Sequence, residues 1–400
     1  MKYPKNLGWS AALALASTAL GGCAAGTAAG FEAPPAPLAA VAVTTPPERD
    51  AAELEVLFWS DEQRSARFRD MESWFAGHEV PAARETRILA PGAPLPDAIA
   101  AQIRAAMAQT GASGVMVYHR GEVRFEDYGL GFGPEGRWTS FSVAKSFTST
   151  LMGAALQDGF IASLDDPVTD YVPGLAGSAY EGVTVRHLAT MTSGVAWNED
   201  YTDAESDVAR MASFVLEHGP DATVAQMREL EREAEPGEKW VYKTGETNLI
   251  GVLVENAVGL SLAEYAQEKI VEPAGFENGL FWMSDPRGGS IGGCCLSLSL
   301  ADYTRMGVFV LEGGRNAVPE GWFAEASASH VDFGSSGFGY GYQWWTYPGA
   351  FGAQGIFGQS ITIVPQEDLV LTVVGNWTTA TSTEYRLLWG GIAAQITAAQ

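Results

Sequence analysis

Positive charge is scarce in this sequence of 400 residues. Lysine and arginine together number 24, against 48 aspartate and glutamate residues, so the formal net charge at pH 7 is −24. Proteins that bind nucleic acid neutralise its phosphates with a basic surface, and this chain lacks the positive charge for one. The composition therefore excludes nucleic acid as a partner.

Cysteine and histidine are also few. Three cysteines cannot build a disulfide scaffold. The five histidines are scattered, and the spacings HExxH and CxxC do not occur, so the sequence predicts no metal site and no cofactor. Hydrophobic residues, in contrast, make up 46% of the chain, which at this length is enough for a large core.

The N-terminus has the organisation of an export signal. Two lysines precede an apolar segment at residues 9–16, which is too short to cross a bilayer. Small residues and then Cys23 follow it, an arrangement that resembles the lipobox of bacterial lipoproteins. The resemblance implies that residues 1–22 are a signal peptide and that Cys23 carries lipid. The alternative is an ordinary signal peptide followed by an unrelated cysteine.

Residues 23–50 are rich in alanine and proline, a composition that buries little and suits an extended tether. We therefore expect a protein held at the bacterial cell envelope by its lipid alone. Ala24 is not acidic, and an acidic residue there would resemble an inner-membrane retention signal. This favours the outer membrane, with the protein facing the periplasm.

Residues 51–400 are predicted to form one folded domain. Its strands fall early and late in the chain, separated at about 160–330 by a mostly helical insertion. This order favours an α+β fold with an antiparallel sheet over alternating βαβ units. The predicted elements are helices at 60–75, 96–108, 142–158 and 384–398 and strands at 115–118, 123–128, 340–347, 361–364 and 369–375.

An SxxK tetrad at residues 142–145 is the strongest candidate for chemistry. Ser142 and Lys145 are three positions apart and share one helix face, so the amine can reach the hydroxyl. A neutral amine can accept the serine proton, and the helix N-terminus favours a developing oxyanion. The predicted helix is apolar almost all round, and a lysine buried there needs a partner or a function.

Two later segments could complete such a site. Tyr242 follows a Pro-Gly turn, and a phenol near a lysine can relay protons to a leaving group. Residues 351–359 place several glycines before the strand at 361–364, a pattern typical of close backbone approach by a ligand. Taken singly, these segments are better explained as a half-buried aromatic and a glycine-rich hairpin.

Together and in this order, the three segments resemble the serine β-lactamase and penicillin-recognising superfamily. They are most similar to its class C-type esterases and 6-aminohexanoate-dimer (nylon oligomer) hydrolases. Segments 183–194 and 292–307 share the similarity. The resemblance implies a β-lactamase/transpeptidase-like fold, in which N- and C-terminal helices flank the antiparallel sheet.

The resemblance also implies a role for particular residues. Ser142 corresponds to the acylated nucleophile and Lys145 to its base. Tyr242 corresponds to the tyrosine of the YxN element, although Thr244 stands where asparagine is often found. The backbone N–H groups of Ser142 and Ile356 correspond to the oxyanion hole. Whether Lys145 or Tyr242 is the general base stays open.

Substrate contacts are implied for four further residues. Ala353, Gln354 and Gly355 match the KTG element, and Tyr201 lies in a segment that resembles the loop covering the cleft of oligomer hydrolases. In penicillin-recognising members the KTG lysine helps to hold the substrate carboxylate. Its replacement by Ala353 favours an esterase or amidase over a β-lactamase.

A GxSxG match at residues 288–292 offers a competing nucleophile. A nucleophile elbow needs a hydrophobic strand before the serine and a helix after it. Residues 284–287 form a turn sequence instead, so we expect Ser290 to lie in a loop.

The sequence thus predicts a serine hydrolase that cleaves ester or amide bonds of a small molecule through an acyl-enzyme on Ser142. One alternative is a β-lactamase or D-alanyl-D-alanine carboxypeptidase of the same fold. Another is a catalytically inactive binding protein of the cell envelope. No oligomeric state follows from the sequence.

Overall fold

The computed structural model describes residues 37–399 apart from 286–287 and 335–336. From Leu38 onwards the chain is a single folded unit. The signal peptide, Cys23 and the first part of the tether lie outside the described residues, so the predictions for them stay predictions.

The described residues form thirteen strands and thirteen α-helices. The strands are β1 (Ala42–Thr44), β2 (Gly77–Val80), β3 (Ala112–His119), β4 (Glu122–Tyr128), β5 (Trp138–Thr139), β6 (Leu280–Met283), β7 (Leu296–Leu298), β8 (Val331–Asp332), β9 (Gly339–Tyr340), β10 (Trp345–Tyr347), β11 (Ala350–Gln354), β12 (Ser360–Val364) and β13 (Leu369–Gly375). The helices are α1 (Asp61–Arg67), α2 (Asp97–Thr110), α3 (Ala144–Gln157), α4 (Val168–Tyr171), α5 (Val185–Ala189), α6 (Asp207–His218), α7 (Ala222–Glu229), α8 (Thr244–Val258), α9 (Leu262–Ala266), α10 (Glu272–Ala274), α11 (Leu300–Leu311), α12 (Trp322–Ala326) and α13 (Thr383–Ala398).

The main sheet joins the early strands to the late ones. Its order is β4-β3-β13-β12-β11-β10-β9-β8, with antiparallel pairing throughout. Helices cover both faces of the sheet, which explains why β3 and β13 are buried at every position and mostly apolar on both faces. Leu371 and Val373 point toward α2 and α13, whereas Val370 and Val374 point into the core around α3 and α11. This confirms the predicted α+β antiparallel architecture with its helical insertion.

A second, smaller sheet was not predicted. Its order is β1-β2-β6-β7-β5, and it places two strands inside the insertion that the sequence suggested was mostly helical. Strand β1 lies within residues 23–50, so the last part of the predicted tether belongs to the fold. These strands have two to four residues each. Such short strands are hard to detect because they show too few alternations to give a period.

Two predicted elements are shorter than expected. Helix α1 begins with a capping box between Ser60 and Gln63 but ends at Arg67 rather than at residue 75. The predicted strand at 340–347 is split into β9 and β10 because Gln343 turns inward with a φ of 62°. Its side-chain amide donates to the carbonyls of Leu188 and Ala189 at the end of α5, at 3.0 and 2.9 Å. Gln343 therefore joins the main sheet to the helical region through these two hydrogen bonds.

No single helix in the described part of the chain is long and apolar enough to cross a membrane. One bent pair, Thr244–Val258 with Leu262–Ala274, meets the requirement by combined length and composition, with 79° between its members. Both members contribute buried residues to the core, as expected for interior helices of a folded domain.

Candidate active site

Ser142 lies in a 3₁₀ turn, Phe141–Val143, that leads into the buried helix α3. The preceding residue, Phe141, has a φ of 43°, an unfavourable conformation for a side chain of this size. Its ring is held at 4.9 Å from Phe68 and 5.4 Å from Phe357, between centroids. These contacts stabilise the strained turn and leave the half-buried Ser142 at the wall of a cavity.

Lys145 is almost completely buried, with 1% of its surface exposed, and points at Ser142. Its Nζ lies 3.0 Å from Ser142 Oγ, 3.0 Å from Thr244 Oγ1 and 2.7 Å from the carbonyl oxygen of Gly293. The helix spacing inferred from the SxxK tetrad therefore produces the expected contact. The other two partners come from distant parts of the chain.

Burial is the dominant influence on the charge of Lys145. It lowers the pKa of the amine to about 8, while the nearby Glu199 carboxylate acts in the opposite direction and raises it. A lysine usually titrates near 10.4. The site therefore brings the amine into a range where a useful fraction is neutral and able to accept a proton.

Tyr242 precedes α8 and lies on the other side of Ser142. Its side chain lines the same cavity as Ser142, and Lys145 Nζ is 5.3 Å from the centre of its ring. The ring stacks on Trp345 at 5.6 Å. Burial, with a smaller effect from Glu199, raises the pKa of Tyr242 well above its usual value. The phenol is therefore neutral and can donate a proton but is a poor base.

Glu199 and Thr244 are polar residues of this site that the sequence analysis did not assign. Glu199 accepts hydrogen bonds from Trp197 Nε1, from Tyr201 OH at 2.9 Å, and from both the N–H, at 2.9 Å, and the hydroxyl of Thr244. Thr244 was noted only as a departure from the YxN pattern. No spacing rule links residue 199 to residue 244, so the pair could not be found without the fold.

Strand β11 brings the predicted oxyanion-hole segment to the turn that contains Ser142. A Cβ at Gly355 would overlap the carbonyl oxygen of Ser140 and lie 3.1 Å from the Cβ of Phe141, so only glycine permits this approach. Ile356 follows and lines the same cavity as Ser142. The glycine of the predicted strand motif thus has a steric explanation.

The other predicted substrate contacts divide into two groups. Tyr201, Gln354 and Gly355 line the cavity with Ser142. Ala353 does not, because its side chain is 1% exposed and packs into the hydrophobic core. Since alternate residues of a strand face opposite sides, Gln354 rather than Ala353 is directed to the cavity. The prediction that Ala353 contacts the substrate is therefore wrong for its side chain.

The cavity has a volume of about 1070 Å³ and a largely apolar wall that includes seven aromatic side chains. Aromatic side chains other than Tyr201 and Tyr242 contribute much of this wall, and two of them, Phe333 and Phe338, are 40% exposed. The five are Phe333, Phe338, Trp345, Tyr347 and Trp389. Such a surface suits an apolar or aromatic group next to the reacting bond.

A cation enters this cavity from α13. Arg386 donates hydrogen bonds to the carbonyl oxygens of Gly355, at 2.5 Å, and Gln359, at 3.1 Å. Burial lowers its pKa to about 10, so it remains charged at neutral pH. Within the described residues no carboxylate lies at ion-pair distance from it. The cavity therefore contains a positive charge, although Ala353 stands where the KTG element has lysine. The charge comes from Arg386 of α13 and lies at a different position.

Ser290 is not part of this site. Its hydroxyl donates to the carboxylate of Glu255, and it does not line the cavity that contains Ser142. It lies in a loop after β6, with only an isolated bridge to Ser284, as expected. The described residues also contain no group of three or more histidine, cysteine, aspartate or glutamate side chains that could hold a metal ion.

Comparison with known proteins finds similar sequences. The profile of the family described as Beta-lactamase matches residues 99–391. The 6-aminohexanoate-dimer hydrolase of Paenarthrobacter ureafaciens is 28% identical over 305 residues, which are 71% of this chain and 77% of that protein. A β-lactamase of Escherichia coli K12 is 31% identical over 134 residues, 33% of this chain and 31% of that protein.

Solved structures show the same fold at low identity. A Bacillus anthracis protein, provisionally described as a 6-aminohexanoate-dimer hydrolase, superposes with a TM-score of 0.76 and 20% identity, covering 88% of this chain and 98% of that one. EstCE1, a hydrolase with promiscuous acyltransferase activity, gives a TM-score of 0.61 and 16% identity over 75% of this chain and 98% of its own.

Proposed function

This chain belongs to the β-lactamase family, and from that premise we propose that it is a serine hydrolase cleaving ester or amide bonds through an acyl-enzyme on Ser142. One observation carries the proposal: the buried Lys145 amine lies 3.0 Å from the Ser142 hydroxyl, at the wall of a large cavity. A buried lysine with a lowered pKa beside a serine hydroxyl can be the adjacent base that activates this serine as a nucleophile.

Acylation begins with proton transfer inside this pair. Neutral Lys145 takes the proton of Ser142 as Oγ bonds to the substrate carbonyl carbon and the carbonyl electron pair moves to its oxygen. The N–H groups of Ser142 and Ile356 are proposed to stabilise that oxyanion. When the C=O bond reforms, the leaving group departs with a proton that comes from the Lys145 ammonium.

Tyr242 is proposed to assist the leaving group. Its phenol is neutral and lines the same cavity as Ser142, so it can donate its proton to the departing oxygen or nitrogen and be reprotonated from Lys145. Water then attacks the acyl-enzyme, giving one proton back through Lys145 to Ser142 Oγ and releasing the acid. The pKa of Lys145 is lowered and that of Tyr242 is raised, and both shifts favour the lysine as the base.

The test is covalent labelling combined with a substrate panel. The purified protein should be labelled at Ser142 by a fluorophosphonate and should hydrolyse short acyl esters or peptide-like amides, with a preference for apolar or aromatic acyl groups that fit the cavity. Absence of both labelling and turnover would contradict the proposal and favour the inactive binding protein.

A second candidate function is suggested by Arg386. Its charge lines the cavity without a carboxylate partner in the described part of the chain, so an anionic substrate group could bind beside it. β-Lactams and acyl-D-alanyl-D-alanine peptides carry such a carboxylate. Turnover of nitrocefin or release of D-alanine at rates exceeding those for neutral esters would favour a β-lactamase or carboxypeptidase.

We also propose a lipid anchor at Cys23, which rests on the sequence alone. The Cys23→Ala variant is expected to appear in the soluble fraction or to remain unprocessed at its higher mass, because no thiol is available for lipid attachment. Fractionation of cells expressing each form, followed by immunoblotting, measures this. Retention of the variant at the outer membrane in wild-type amounts would contradict the anchor.

A further inference from the structure

The hydrogen bonds around Lys145 determine which of its neighbours receives its lone pair. As an ammonium group, Nζ donates to all three partners, namely Ser142 Oγ, Thr244 Oγ1 and the Gly293 carbonyl. As a neutral amine it has only two N–H groups and one electron pair. It can act as a base toward Ser142 only if both N–H groups are directed to the other two partners.

The Gly293 carbonyl takes the first N–H because a carbonyl oxygen can only accept. Its position is fixed from two sides. The N–H of Gly293 donates to Asn248 Oδ1 at 2.7 Å, and a Cβ at this residue would lie 2.9 Å from atoms of Thr244. The carbonyl therefore cannot turn away from Lys145 without disturbing α8.

Thr244 takes the second N–H because of Glu199. The Thr244 hydroxyl contacts both Lys145 Nζ and a Glu199 carboxylate oxygen. A carboxylate can only accept, so the threonine proton is directed to Glu199 and the threonine oxygen is left to accept from Lys145. The Glu199 carboxylate, which can only accept, therefore sets the direction of both hydrogen bonds in this series.

The Glu199 carboxylate is itself fully occupied. One oxygen accepts from Tyr201 OH and the Thr244 hydroxyl, and the other accepts from Trp197 Nε1 and the Thr244 N–H. These four donors use the lone-pair positions of both oxygens. Although Glu199 lines the cavity, its carboxylate therefore has no free position for a cationic group of a substrate.

We propose that Glu199 and Thr244 are positioning residues that direct the lone pair of Lys145 onto the Ser142 hydroxyl. The inference deepens the proposed function and rests on it, since it assumes that Lys145 deprotonates Ser142. The charged and titratable side chains that face Lys145 in the described structure are Glu199 and Tyr242. Of these, Glu199 also raises the pKa of Lys145, so its role has a measurable electrostatic signature.

Substitutions at Thr244 separate orientation from charge. Thr244→Val keeps the Glu199 charge and the side-chain shape but removes the hydroxyl, and should lower kcat by about 10²-fold because the amine is no longer aligned. Thr244→Ser keeps the hydroxyl and should stay within about fivefold of wild type, a fraction of that alignment effect. KM should change little in both, which steady-state kinetics on one ester will measure.

Substitution at Glu199 tests the charge as well. Glu199→Gln should lower kcat by a similar factor, and it should move the acid limb of kcat/KM to lower pH because an anion that stabilised the ammonium is lost. Glu205→Gln, in an exposed position of the same loop, is the matched control and should leave both the rate and the limb unchanged. Thermal unfolding of each variant checks that the fold is retained.

Two contrary outcomes can be told apart. If Ser142 proves essential but Thr244→Val keeps kcat within threefold of wild type, or Glu199→Gln leaves the acid limb in place, the positioning roles are wrong and the hydrolase stands. If Ser142→Ala itself retains wild-type hydrolysis, the proposed function fails, and the positioning roles fail with it.

Discussion

The Ser142→Ala variant is expected to lose ester and amide hydrolysis, with kcat lower by roughly 10⁴-fold or more, as is typical when a catalytic nucleophile is removed. The methyl group cannot form the acyl-enzyme, and the partners of Lys145 in helix α8 and at Gly293 remain in place. Steady-state rates on an activated ester and fluorophosphonate labelling followed by mass spectrometry measure the loss.

Ser290→Ala is the matched control for this prediction. Both residues are serines within short sequence motifs, but Ser290 donates its hydroxyl to Glu255 and lies outside the cavity. Its replacement should leave turnover and labelling within about twofold of wild type, since it contacts none of the reacting groups. If Ser290→Ala were the inactive variant and Ser142→Ala the active one, the GxSxG motif would be the true nucleophile site.

Replacement of Lys145 should be almost as severe. Lys145→Ala removes the base, and Lys145→Arg replaces it with a guanidinium that stays protonated at any pH the protein tolerates. We expect kcat to fall by about 10³-fold in both variants, within the range usual for loss of a general base. Lys239→Arg is the control, because Lys239 is an exposed lysine paired with Glu233 on the surface.

The wild-type pH profile follows from the same group. Since burial lowers the pKa of Lys145 to about 8, kcat/KM should rise as pH increases through about 8 and level off above it. The sign is fixed by the neutral amine being the active form. At pH 7 about a tenth of the amine is neutral, from the difference of one unit. Rates measured from pH 6 to 10 locate the limb.

Near-wild-type turnover by Lys145→Arg at pH 7 would contradict a lysine base and make Tyr242 the candidate. The surroundings of Tyr242 oppose that assignment. Its ring is stacked on Trp345, and its burial disfavours ionisation and raises its pKa. The sequence left the choice between Lys145 and Tyr242 open because a residue type does not reveal how deeply its side chain is buried.

The positive charge in the cavity comes from Arg386 and not from the strand position that corresponds to the KTG lysine. From the sequence, the alanine at position 353 removed the positive charge expected at the KTG strand. In the structure, α13 supplies a guanidinium that contacts the carbonyl of Gly355. A charge 33 positions away along the chain cannot be assigned to the site by motif alignment, because its arrival depends on how the last helix packs against the sheet.

What the sequence determined by itself is local. Helix spacing places Ser142 and Lys145 on one face, and short runs rich in apolar residues identify β3, β4 and β13. Glycine marks the close approach at position 355. The order of early and late strands is enough to predict an antiparallel sheet with a helical insertion. Each of these follows from backbone geometry acting over a few residues or from the order of elements.

The tertiary structure alone decided the chemistry around the lysine. Lys145 contacts Thr244 and the carbonyl of Gly293, and Thr244 in turn contacts Glu199. The partners in these contacts are between 45 and about 150 residues apart along the chain. They meet only because α3, α8 and the loop before α6 pack together, and the same packing buries the lysine. The short strands β1, β6 and β7 depend on the same packing. A sequence motif supplies the reactive groups, but their solvent exclusion and hydrogen-bond direction are properties of the packed chain, because both depend on neighbours that local spacing does not specify.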